Sequence, residues 1–267
     1  MTSEILQLTD LHLISDPQQR LKGVPTRDAL LDLLDFVRAG IETGRWDFDY
    51  IVVTGDVAHD EQLPTYEWLR EILGDWLPRC RLIPGNHDDR AAIRRVFPEL
   101  VVEDSSYACF SVETESWRLI GLDSHQPGEV AGQLEPDQLD WLASELECHS
   151  AQPTILFAHH PPFQVGSAWL DRIGLRNADA LIELIQANPQ VRVICTGHVH
   201  HEFKDCLGSV DLLTTPSTGI QFRPHEETLI CDAIPAGFRT FQLDGDSYRT
   251  EVVRLPELRF PPETGRL

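Results

Sequence analysis

The stretch Arg81-Leu82-Ile83-Pro84-Gly85-Asn86-His87-Asp88 runs from an apolar, strand-like segment straight into a cluster of polar side chains. Polar residues that follow a buried strand need partners, so this cluster predicts a site at the strand's carboxyl end. The same arrangement recurs on both sides of it. Ile5-Leu6-Gln7-Leu8 leads to Asp10-Leu11-His12, and Tyr50-Ile51-Val52-Val53 leads to Gly55-Asp56. Thr154-Ile155-Leu156-Phe157 leads to His159-His160-Pro161, and Val191-Arg192-Val193-Ile194 leads to Gly197-His198-Val199-His200. Five polar clusters at five strand ends can converge on one rim of a sheet, where open α/β sheets bind their ligands.

Between these strands the apolar spacing turns helical. Leu30, Leu31, Leu34, Val37 and Ile41 predict a helix over 27–43, and further helices are expected over 65–73, 136–146 and 177–185. The acidic Glu135 and Asp137 suit a helix start, and Pro189 stops the last helix. Strands are expected at 107–112 and 118–122, with 113–116 as the turn. Beyond residue 201 the pattern changes to strands at 202–206, 210–214, 238–243 and 248–254. Leu207-Gly208-Ser209 and Asp244-Gly245-Asp246 are turn sequences between them. Alternating β and α elements followed by a β-rich end predict an α/β fold, a sandwich of two mixed sheets flanked by helices. No linker divides the chain, so residues 1–255 read as one domain. The tail 256–267 either packs on the surface or moves freely.

The chain has 267 residues, 42% of them apolar and 24% charged, as expected of a soluble globular protein. No apolar stretch approaches the roughly 20 residues that span a bilayer, and the start shows no signal-peptide pattern. A cytoplasmic protein without membrane partners is expected. The formal charge of −21 argues against binding long nucleic acid, which recruits basic residues. A small anionic substrate is compatible with it, because divalent cations invert the local field. The six cysteines lack Cys-x-x-Cys spacing, so reduced core thiols are expected rather than disulfides or thiolate-bound zinc.

The five clusters contain the donors for two metal ions. Asp10 and His12 lie two apart on an extended segment, which directs both side chains to one face. His198 and His200 repeat that spacing. Asp56 has two carboxylate oxygens with which to bridge two ions, Asn86 adds an amide oxygen, and His159 completes the second ion. Hard oxygens with imidazole nitrogens suit Mn, Fe or Zn better than Ca. Taken alone, Asp10-Leu11-His12 and Gly55-Asp56 are also ordinary turn sequences. The specificity lies in all five occurring in order at strand ends.

Together the motifs Asp-x-His, Gly-Asp, Gly-Asn-His-Asp, His and Gly-His-x-His resemble those of the calcineurin-like metallophosphoesterases. Leu122-Asp123-Ser124, Ser167-Ala168-Trp169-Leu170-Asp171, Leu175-Arg176-Asn177-Ala178 and residues 215–222 further resemble the bacterial class III cyclic-nucleotide phosphodiesterases. The resemblance extends to about Leu255. It implies a four-layer αββα fold, with Asp10, His12, Asp56 and His200 on a first ion. It implies Asp56, Asn86, His159 and His198 on a second. His87 would be the catalytic histidine that binds no metal, and His12, Asn86, His87 and His200 would contact substrate.

The expected reaction is hydrolysis of 3′,5′-cyclic AMP to 5′-AMP. A hydroxide shared by both ions would attack phosphorus in line with the 3′ oxygen, which His87 would protonate. Asp88 either orients His87 or caps a helix over 90–96. Phe222 and Trp169 either stack on a base or pack in the core, with Arg223 and His225 as further base contacts. His160 is expected to support ligands rather than bind metal. Arg176 and Asn177 either order a loop over the site or begin a helix. His59, His125, His149 and His201 read as surface or structural residues. Two rivals stand beside this reading. One is a broader phosphodiesterase or phosphomonoesterase acting on 2′,3′-cyclic nucleotides or other phosphoesters. The other is a non-catalytic scaffold of the same fold, which predicts eroded ligands. Oligomeric state is not legible in the sequence.

Overall fold

Strand β1, Thr2–Leu8, sends Ile5 into one apolar core and Leu6 and Leu8 into another. That alternation places a sheet between two cores, and it sets the architecture. The computed structural model describes residues 2–102 and 105–263. After β1 come α1 (Thr26–Glu42), β2 (Tyr50–Thr54), α2 (Leu63–Leu73), β3 (Cys80–Ile83) and α3 (Arg90–Val96). Next are β4 (Phe110–Glu113), β5 (Arg118–Leu122), α4 (Pro136–Cys148), β6 (Thr154–Ala158), α5 (Ala168–Asp171) and α6 (Ala178–Ala187). The remainder is β7 (Val191–Thr196), β8 (Phe203–Leu207), β9 (Val210–Thr214), β10 (Gln221–Phe222), β11 (Cys231–Asp232), β12 (Gly237–Asp244) and β13 (Ser247–Arg254).

One sheet has the order β13-β12-β1-β2-β3 and the other β4-β5-β6-β7-β9-β8. Both are mixed. β1, β2 and β3 run parallel, as do β5, β6, β7 and β9, with antiparallel strands outside them. Ile5, Val52, Phe157, Val193 and Phe241 fill the core between the sheets, where Phe157 and Phe241 meet edge to face at 6.1 Å. Outside one sheet, Leu30, Leu33, Leu34 and Val37 of α1 pack with side chains of α2 and α3. Outside the other, Leu142 of α4 and Leu181 and Ile185 of α6 do the same. The layers are therefore α/β/β/α, as expected. Burying each such side chain is worth about 1.5–3 kcal/mol.

Two expectations change. The strand expected from Tyr107 starts at Phe110, because its first backbone groups are taken by side chains. Asp123 accepts from the Ala108 N–H, and Arg94 donates to the Tyr107 carbonyl. Neither group is left for a ladder. The second change is the short β10–β11 hairpin, which lacks the apolar alternation that marks longer strands. Of the tail, Arg259 pairs with Asp32 at 2.6 Å and Phe260 packs beside Val24 and Ile220. Residues 264–267 lie outside the described part of the chain. No helix among the described residues is long and apolar enough to cross a membrane.

Candidate metal centre

The carboxyl ends of β1, β2 and β3 in one sheet and of β6 and β7 in the other open on the same rim, and the five polar loops meet there. They are bonded to one another rather than merely adjacent. Asp10 N–H donates to the Gly55 carbonyl at 3.0 Å, His12 N–H to the Asp56 carbonyl at 2.8 Å, and Gly197 N–H to the His159 carbonyl at 3.2 Å. His198 N–H donates to both Asp10 carboxylate oxygens at 3.1 Å. The approach is so close that a Cβ on Gly85 would stand 2.2 Å from Asp56 Oδ1, so only glycine fits.

Asp10 and His12 do converge, but not as neighbours on an extended strand. Asp10 (φ 53°), His12 (45°), Asp56 (50°), His198 (70°) and His200 (53°) all adopt the left-handed conformation. β1 ends at Leu8 and β7 at Thr196, so these side chains are aimed by left-handed turns. The side chains meet as the spacing led us to expect, but through turns rather than along an extended strand. Such strain costs of order 1–3 kcal/mol per residue and persists only where its surroundings enforce it.

Asp10, His12, Asp56 and His200 put their ligand atoms within 4.8 Å of one another, and all are buried. His12 Nε2 lies 3.3 Å from Asp56 Oδ2, and His200 Nε2 lies 3.3 Å from Asp10 Oδ1. The other Asp56 oxygen, Oδ1, faces His159 Nε2 at 3.5 Å. Asn86 Oδ1 stands 3.3 Å from His159 Nε2 and 3.0 Å from His198 Nδ1. The Nδ1 atoms of His159 and His200 donate to the Thr54 and Ile220 carbonyls at 2.8 and 2.7 Å. Their Nε2 lone pairs therefore point at carboxylate oxygens, which have no proton to give. In a buried pocket such pairs call for positive charge between them, either a proton on the imidazole or a metal ion held by both. The buried His198 Nε2 has no partner.

The electrostatics tell the same story. Burial alone would raise the Asp56 carboxyl, but His159 and His12 outweigh it and hold Asp56 well below the usual carboxylate range. Asp10 is likewise lowered, burial being outweighed chiefly by His200. Burial opposes a charged His159, yet the charge and hydrogen bond of Asp56 pull it up to about 9. His198 is driven down to about 3 by burial and His159. Two buried carboxylates thus recruit positive charge, and the donor set fits a divalent ion of the Mn, Fe or Zn type.

His160 stays out of the ligand set. Its Nε2 bonds the Val130 carbonyl at 3.0 Å and its Nδ1 the Ser124 hydroxyl at 2.7 Å, which uses both nitrogens. Asp88 fills neither role expected of it. Its carboxylate accepts from the N–H groups of Val57, Ala58 and Gly85 and from the Tyr66 hydroxyl. Burial and the Asp56 charge push it up to about 7. The cap of α3 is Asp89, which accepts from Ala91 and Ala92 N–H. Phe222 lies flat on the His200 ring at 3.9 Å, and Trp169 meets Phe222 at 5.4 Å, so both pack. His225 N–H is held by the Ser167 hydroxyl, and Arg223 pairs with Glu226 and Asp232. Asn177 begins α6 and also bonds the N–H and carbonyl of Leu134. Arg176 pairs with Glu129, so both residues tie down the 126–134 loop. That loop walls a cleft of about 680 Å³, which Asn86 and His87 also line.

His59, read from sequence as surface or structural, lies in the centre instead. Its ring is 5.3 Å from His12 and 4.7 Å from His87. The signal for it was its place in the same loop as Asp56. His125 lines the cleft, His149 bonds Arg118, and His201 is buried.

The calcineurin-like phosphoesterase model matches residues 3–202. The chain belongs to that family. This phosphoesterase is 34% identical over 261 residues to the 3′,5′-cyclic adenosine monophosphate phosphodiesterase CpdA of Escherichia coli, covering 97% of this chain and 92% of that one. It is 35% identical over 257 residues to the protein of the same name from Pseudomonas aeruginosa, covering 96% and 91%. A dimetal phosphatase from Danio rerio superposes with a TM-score of 0.64 at 14% identity, covering 94% of this phosphoesterase and 98% of that structure. That likeness establishes the shared fold.

Proposed function

We propose that this phosphoesterase hydrolyses 3′,5′-cyclic AMP to 5′-AMP at two divalent ions. Asp10, His12, Asp56 and His200 hold the first, and Asp56, Asn86, His159 and His198 hold the second. The observation that carries the reading is the division of Asp56, with Oδ2 beside His12 and Oδ1 beside His159. Two ions, when bound, supply positive charge to the phosphoryl oxygens and acidify the water that attacks phosphorus. The chain's own residues do the rest. The His87 N–H donates to Asp56 Oδ1 at 2.9 Å, which ties the catalytic loop to the bridging carboxylate. The His87 ring borders the open cleft, within reach of a substrate held at the rim. It gives its proton to the departing 3′ oxygen as the P–O3′ bond breaks and the water–phosphorus bond forms. The names of the relatives support the choice of cyclic AMP. The free cysteines fit a reducing compartment, and we place the enzyme in the cytoplasm.

The test is turnover of 3′,5′-cyclic AMP by Mn-loaded protein beside 2′,3′-cyclic AMP, 5′-AMP and bis(p-nitrophenyl) phosphate, with Asn86→Ala as control. Preferential formation of 5′-AMP from the first substrate, lost in the control, is expected. Activity confined to the other substrates would leave a broader esterase, and no hydrolysis at all would favour the scaffold.

A further inference from the structure

We infer that His59 is a positioning residue that fixes the tautomer and ring orientation of His12. The inference rests on the reading of His12 as a metal ligand. A neutral imidazole has one lone pair and one N–H. With Nε2 of His12 turned to Asp56 Oδ2 and His200 Nε2 at 3.3 and 3.1 Å, its Nδ1 must carry the proton. His159 and His200 give their Nδ1 protons to main-chain carbonyls. His12 instead faces the Nδ1 of His59 at 3.3 Å. His12 therefore donates, and His59 accepts through Nδ1 with its own proton on Nε2.

The geometry gives His59 a second contact. Its ring stands edge-on to His12, at 66°, and lies tilted by 30° over His87. One side chain thus touches both His12 and His87, whose own rings stand 5.0 Å apart. Its backbone is fixed by the same loops, since the His59 N–H donates to the Leu13 carbonyl at 2.8 Å and Leu13 bridges Ala58. The ring nitrogens of His12, His59 and His87 lie within 4.8 Å of one another, which resembles a third cation site. His12 cannot serve it, because its one lone pair is already turned to the first. A partner of this kind raises the basicity of the ligand and is worth about 10–100-fold in metal affinity.

The experiment compares wild type, His59→Phe and His59→Gln, each confirmed folded by circular dichroism. Phenylalanine keeps a ring and removes the acceptor, while the glutamine amide oxygen accepts the same N–H. Metal per chain is measured after dialysis against graded chelator, and ¹⁵N NMR of the Zn-loaded protein reports the His12 tautomer. We expect His59→Phe to release one ion at a roughly 10–100-fold lower chelator concentration and to lose the fixed Nδ1–H signal of His12. His59→Gln should restore most of both. Metal retention and a His12 tautomer unchanged in His59→Phe would overturn the inference. So would a third ion in wild type that His59→Phe removes. Wild type that holds no ion, or His12→Ala that still holds two, would overturn the ligand reading and the inference with it.

Discussion

A histidine that is to hold a metal ion must present a lone pair, and what fixes its far nitrogen decides whether it can. The Thr54 and Ile220 carbonyls do this for His159 and His200, whereas both nitrogens of His160 are consumed. His87 differs in bordering the cleft. We therefore expect His87→Ala to retain both ions by metal analysis while kcat falls about 10²–10⁴-fold, the usual range for losing a general acid. Asp56→Ala should lose metal and turnover together, and two ions still bound would contradict its bridging role. Residue types and strand ends made the cluster of proposed ligands legible in sequence. The anchors of their far nitrogens were not, because main-chain carbonyls carry no residue signature.

At the scale of the element, the carboxylates after β3 divide their work. Asp89 caps α3, so Asp89→Ala should cost about 1 kcal/mol in chemical denaturation and leave metal binding intact. Asp88 joins the loop after β2 to the loop after β3 through three N–H groups and a hydroxyl. Its removal strands buried donors at about 1–3 kcal/mol apiece. Asp88→Ala should therefore be several-fold more destabilising and weaken metal retention, and equal effects of the two variants would refute the division. Helices were legible from their spacing because an apolar stripe every three or four residues has few other uses. The β10–β11 hairpin and the start of β4 were not, because tertiary hydrogen bonds rather than local pattern decide them.

For the whole molecule, placing titratable groups at the centre of a four-layer fold ties stability to pH. His201 is 3% exposed, and burial, only partly offset by the Val199 backbone, lowers its pKa from 6.5 to about 4. A base lowered on folding takes up its proton more readily when unfolded. Its contribution is complete above pH 6.5 and fades as pH falls towards about 4. At about 1.4 kcal/mol per tenfold change in proton affinity, this amounts to about 3 kcal/mol. Denaturation midpoints should drop across that window in wild type and drop less in His201→Phe. Parallel curves would show that His201 does not contribute. The layered architecture was legible from the alternation of strand and helix. The left-handed turns at the rim were not, since Asp and His are compatible with several backbone conformations.

Those turns have a bearing on the history of the chain. At positions 10, 12, 56, 198 and 200 glycine would relieve the backbone, so each of these side chains is held against the fold's own preference. His200→Gly should accordingly be more stable than His200→Ala, although both lose the ligand. A lineage released from its chemistry would drift towards glycine at these five sites. Aspartate or histidine stands at all five in this chain, at a backbone cost that glycine would spare.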